Sequence, residues 1–117
     1  MIINDREVNF FYSIQARCEI EDMYNEDGFT SLAAMMKKNY TRTIIRMAEI
    51  MHRAYLAAHP EETCEPLTDA EMMSLPNAVF RELDEEIGRA MNDGKKVTVE
   101  TEQEKTGKNA ESAARSS

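Results

Sequence analysis

Tryptophan is absent from this chain, and histidine and cysteine occur only twice each. So few of these residues leave little from which to build a metal centre or a nucleophile–base pair. The four glycines stand apart, so no glycine-rich loop can cradle a phosphate. No apolar run approaches the roughly 20 residues that cross a bilayer. The opening residues, Met1 to Glu7, lack the basic region and following apolar stretch of a signal peptide, so cytoplasmic residence is expected. Basic charge is also short, with 14 Lys and Arg against 22 Asp and Glu and a formal net charge of −8. Nucleic-acid binders need basic surface to displace counterions, and anionic membranes attract the same kind of surface. Both partners are disfavoured.

What is present suits one folded domain. The chain has 117 residues, 42% of them apolar, which is enough for a single core. Nine methionines are a high count, and Met fills irregular gaps in cores or adapts to partners on surfaces. Core filling is the first reading for most of them. In a reducing compartment the two scattered cysteines are expected as free thiols. Cys18 shares a helix side with Ile14 and is expected to be buried. Cys64 lies between Glu62 and Glu65, neighbours that disfavour a thiolate.

The periodicity predicts a mainly α fold of four to five helices. A short N-terminal hairpin precedes them, with Met1 to Ile3 as one strand, a turn at Asn4-Asp5-Arg6, and Val8, Phe10 and Tyr12 alternating on the other. Ser13 is the expected cap of a helix burying Ala16, Ile20, Met23 and Tyr24. Asn25-Glu26-Asp27-Gly28 ends it. A second short helix, capped by Thr30 or Ser31, runs to about Lys38, with Leu32, Met35 and Met36 as its apolar side. The strongest stripe follows: Ile44, Ala48, Met51, Tyr55 and Ala58, widened by Ile45, Met47 and Ala54 and stopped at Pro60. Arg42, Arg46, Glu49 and Arg53 form its outer surface. Thr68-Asp69-Ala70-Glu71 is a capping box before Met72, Met73 and Leu75. Val79, Phe80, Leu83, Ile87, Ala90 and Met91 make the last stripe, with a stop at Asn92-Asp93-Gly94. The expected organisation is a helical domain over 1–94 and a disordered polar tail over 95–117, where only Val97 and Val99 are sizeable apolar groups.

Tests for chemistry fail in the sequence. Glu49-x-x-His52 has the spacing of di-iron bundles, but those need a second such pair and two further carboxylates. His59 has Leu56 in the matching place. His52 and His59 are expected at the boundary, rings packed and one nitrogen exposed. Asp84, Glu85 and Glu86 are consecutive and fan around a helix. No catalytic, cofactor or metal site is expected, and the chain is expected not to be an enzyme. Contact candidates for a protein partner are Arg42, Arg46, Arg53, Met47, Met51, Met72 and Met73. The segregated charge is either a solvated face with local ion pairs or a surface that orients a partner.

Ile2-Ile3-Asn4-Asp5-Arg6-Glu7-Val8, followed by Ala16-Arg17-Cys18-Glu19-Ile20-Glu21, resembles the opening of tail assembly chaperones of siphophages and gene-transfer particles. Leu67-Thr68-Asp69-Ala70-Glu71 with its following apolar helix resembles their second half. The likeness spans roughly residues 1 to 92, and its motifs are short and mostly structural. It implies a small, acidic, helical protein that self-associates, binds the aggregation-prone tape measure protein, recruits the tail tube protein and is absent from the mature virion. It also implies that a longer, frameshifted product can exist. A regulatory or antitoxin-like binding module and a minor structural tail protein are the alternatives.

Overall fold

Residues with φ above zero shape the first turn of the chain. Asn4 and Asp5 take φ of 52° and 68°, the paired left-handed conformation of a type I′ hairpin turn. They join β1 (Ile2–Ile3) to β2 (Arg6–Glu7) in antiparallel register, Ile2 opposite Glu7 and Ile3 opposite Arg6. Met1 and Val8 extend the pairing by exchanging backbone hydrogen bonds of 2.8 and 2.9 Å. The computed structural model describes the backbone of residues 1–106 and the side chains of residues 1–93. The expected strand through Tyr12 stops at Glu7. Val8 is nevertheless buried, and the amide of Phe11 is taken up by the Met51 carbonyl at 3.0 Å rather than by a ladder.

Among the described residues five helices follow: α1 (Ile14–Glu26), α2 (Leu32–Lys38), α3 (Tyr40–Ala58), α4 (Asp69–Met73) and α5 (Asn77–Thr106). The hydroxyls of Ser13, Ser31 and Thr68 each accept the amide three residues on, at 3.1 Å, satisfying donors left over at helix starts. At the end of α1, Gly28 has φ 86°. Gly28 N–H donates to Asn25 and Phe29 N–H to Tyr24. This pattern is a Schellman close, and its left-handed position favours glycine.

The helix α3 is the hub. α1, α2, α4 and α5 all pack on it. Its buried residues therefore exceed one stripe: Thr43, Met47, Ile50 and Ala54 are enclosed as well as Ile44, Ala48 and Met51. Ala58, at the end of the expected stripe and of α3 itself, is exposed. Leu83 and Ile87 supply the α5 side of the core, and Met35 the α2 side. α4 contributes Met72, with Leu67 just before it.

Several expectations are corrected. Cys18 is exposed, because Ala16, Ile20 and Met23 take the inward side of α1 and leave Cys18 with Ile14 facing out. His52 is 1% exposed, enclosed by α3's central position rather than set at a boundary. The Glu71 carboxylate is shared, engaged by the hairpin through Asn4 and Arg6 as well as by the Thr68 backbone of its own capping box. The expected stop at Asn92-Asp93-Gly94 does not end α5, which continues to Thr106. Lys, Glu and Gln after Gly94 are good helix formers and no proline follows, so the cost of one glycine, about 1 kcal/mol, is tolerated. The rest of the expected tail, 107–117, lies outside the described residues.

Candidate functional site

The arginines singled out from sequence fall on α3 in two situations. Arg46 Nη1 donates to Asp27 Oδ2 at 2.8 Å, and Arg53 Nη2 to Glu19 Oε1 at 3.1 Å. Both pairs tie α3 to α1 or its closing turn. The charge segregation in sequence is thus used largely within the chain, in exposed pairs worth on the order of 0.5 kcal/mol each. Arg42 is exposed and forms no ion pair among the described residues. It lies near exposed Lys37, Lys38 and Tyr40, at the junction of α2 and α3. Tyr40 Oη donates to both carboxylate oxygens of Asp84, at 2.6 and 2.8 Å. That bond, followed by partial burial and the Asp84 charge, pushes the phenol up to about 12.

The methionine candidates divide sharply. Met47, Met51 and Met72 are in the core and present no contact surface. Met73, the next residue on α4, is exposed. The two large apolar side chains most open to solvent, Ile14 at 77% and Ile2 at 56%, were not singled out as contacts, and neither was Phe11 at 44%, close to Met73 at 47%. Phe11 and Ile14 flank the start of α1, where the irregular segment after the hairpin turns into helix. The signal was available in principle, since Ile14 lies outside the Ala16, Ile20, Met23 spacing.

Between α1 and α3 lies a cleft of about 290 Å³, lined by Glu19, Asp22, Glu26 and Glu49 against Arg46 and Arg53. Glu49 lines it with Oε2 enclosed and no donor within hydrogen-bond reach of that oxygen. Burial first, then the nearby Asp69 carboxylate, pushes the Glu49 carboxyl above its usual range, against the pull of Arg53 and Arg46. Thr43 Oγ1 is a second enclosed oxygen with no partner.

A third cluster joins the hairpin, α3 and the loop before α4. Arg6 Nη1 donates to Cys64 Sγ at 2.9 Å and to the Glu65 carbonyl at 2.6 Å. Its Nη2 donates to Glu71 Oε1 at 2.9 Å, and Asn4 Nδ2 donates to the other Glu71 oxygen at 3.1 Å. On the inner side, His52 Nε2 is 3.9 Å from Cys64 Sγ. His52 Nδ1 is 3.0 Å from the Asn9 carbonyl. A carbonyl oxygen only accepts, so Nδ1 carries the proton, and a neutral ring turns a bare Nε2 toward sulfur. The edge of Phe10 packs against this ring at a centroid distance of 6.4 Å. Sequence reasoning missed the cluster because Arg6 and Cys64 are 58 residues apart, and only tertiary packing brings a cation to a cysteine with acidic neighbours.

Among the described residues no three His, Cys, Asp or Glu side chains converge as a metal site, and no helix is long and apolar enough to cross a membrane. The chain finds no match among protein-family models, curated proteins or solved structures.

Proposed function

We propose that this chain is a non-enzymatic protein-binding module that serves as a tail assembly chaperone, holding the tape measure protein and aiding tail tube assembly. The observation that carries the binding reading is the exposure of Phe11 and Ile14 beside a core that is otherwise well enclosed. Burying an Ile side chain is worth about 1.5–3 kcal/mol, so one left open at a helix start is a gain that folding leaves unrealised and that burial against a partner can supply. Met73 and the basic corner of Lys37, Lys38 and Arg42 are further contact candidates. The identity of the client comes from the likeness of residues 2–8, 16–21 and 67–71 to the chaperone family. A long, helical, apolar client suits an adaptable apolar surface on an acidic, soluble carrier. Self-association, action in the host cytoplasm and absence from the finished particle belong to the same reading.

Co-expression with a tape measure protein tests it. The chain is expected to keep that client soluble and to co-purify with it. Phe11→Ser with Ile14→Glu is expected to abolish co-purification while leaving the helical circular-dichroism signal and Tm close to the parent. Reversal at Arg42 is the clean charge test, because reversal at Arg46 or Arg53 also removes an intrachain pair. A client that precipitates equally with and without the chain rejects the chaperone reading. Recovery of the chain in mature particles moves it to the structural tail proteins.

A further inference from the structure

The two cysteines differ in a way that exposure alone does not explain. Cys18 is open on the outer face of α1. Cys64 is half-buried; its S–H reaches the Glu65 carbonyl only at a long 3.5 Å, and its sulfur has two nitrogen groups directed at it, Arg6 Nη1 at 2.9 Å and His52 Nε2 at 3.9 Å. His52 is itself enclosed, and its Nδ1 is held by the Asn9 carbonyl, so the nitrogen facing sulfur is fixed as the one able to take a proton. Arg6 is anchored by Glu71 and the Glu65 carbonyl, so its guanidinium stays in place whatever the sulfur does. A base on one side and a fixed cation on the other are the requirements of a thiol that reacts as a nucleophile.

We propose that Cys64 is a thiol–disulfide exchange site for low-molecular-weight disulfides. Cys64 passes its proton to His52 Nε2 as Sγ attacks one sulfur of a disulfide RS–SR. The Sγ–S bond forms and the S–S bond breaks. The departing thiolate takes the proton and leaves as RSH. The thiol is oxidised to a mixed disulfide and half of the co-reactant is reduced, so no further oxidant is needed. Glu61, Glu62 and Glu65 are exposed around the site, which favours neutral or cationic disulfides over anionic ones.

The test uses the unmodified chain and the neutral disulfide of 2-mercaptoethanol, with the two cysteines followed separately by peptide mass mapping. Accessibility alone makes Cys18 the faster. The expected result is that Cys64 is modified at least about tenfold faster than Cys18 in the folded chain, with the gap closing in concentrated denaturant. A Cys64 rate equal to or below that of Cys18 in the folded chain overturns the proposal. So does a gap that persists after unfolding, which would place its origin in local sequence. His52→Gln is expected to remove the excess without changing the Cys18 rate. If that variant loses its helical signal, Arg6→Gln, at the outer side of the cluster, serves instead. An excess retained in a folded variant of either kind also overturns the proposal.

Discussion

Two glutamates in this molecule sit in opposite electrostatic situations, and each makes a definite prediction. Glu49 is pushed up by burial and by the Asp69 carboxylate. A carboxyl whose folded pKa exceeds its unfolded value holds more protons when folded, so stability falls as pH rises through that interval. Glu49→Gln keeps the shape and removes the charged form. It is expected to raise Tm at neutral pH, with the gain vanishing below about pH 4, where the native carboxyl is protonated in both states. Thermal unfolding at the two pH values measures this, and a lower Tm at neutral pH would show that the pull of Arg46 and Arg53 dominates. For Glu71, burial alone would raise the carboxyl. The Asn4 hydrogen bond, the Arg6 charge and hydrogen bond, and the Thr68 backbone outweigh it and hold the group below its usual range. Its contribution is therefore present above the ordinary Glu range and lost as pH falls through the depressed value. Glu71→Gln is expected to lower Tm at neutral pH and to shrink that deficit in acid.

At the scale of elements, the turns carry information out of proportion to their length. Gly28 holds φ at 86°, and a Cβ added there meets no heavy atom within 4 Å. Crowding is thus absent and the left-handed backbone is the whole cost, so Gly28→Ala is expected to destabilise by about 1 kcal/mol in chemical denaturation. Asp5 holds φ at 68° without being glycine. Type I′ turns prefer Asn-Gly, so Asp5→Gly is expected to stabilise the hairpin by about 0.5 kcal/mol, visible as slower amide exchange at Ile3 and Val8. These same signals made the elements legible in the sequence. Ser13, Thr68 and the pair Thr30 and Ser31 marked helix starts because hydroxyls there satisfy amides locally, and of that pair Ser31 is the cap. Asn4-Asp5 marked the hairpin by local backbone preference. Local chemistry fails where the answer is tertiary. The strand expected through Tyr12 shortens because Phe11 N–H finds the Met51 carbonyl instead. Cys64 carries acids on its flanks in sequence and meets Arg6 and His52 in space. The stop at Asn92-Asp93-Gly94 is overridden because the residues beyond it still favour helix.

At the scale of the whole molecule, one helix decides the rest. Every other helix leans on α3, so its methionines cannot serve the core and a partner at once. Met51 is fully enclosed, whereas Met73 is exposed on α4 beside the buried Met72. Truncating a buried Met leaves a cavity that neighbours fill only in part, at a cost of about 2–5 kcal/mol. That is a large share of the total for a domain whose whole stability is on the order of 5–15 kcal/mol. Met51→Ala is therefore expected to lower the denaturant midpoint strongly, and any loss of binding it shows should recover under conditions that restore folding. Met73→Ala is expected to change the unfolding free energy by no more than about 0.5 kcal/mol. If α4 belongs to the contact surface, Met73→Ala lowers client affinity at unchanged stability, a combination that a core residue cannot produce. Equilibrium unfolding and client titration on the same two variants separate these roles. A stability loss at Met73 comparable to that at Met51 would place α4 wholly within the core and leave the partner surface to Phe11, Ile14 and the α2–α3 corner.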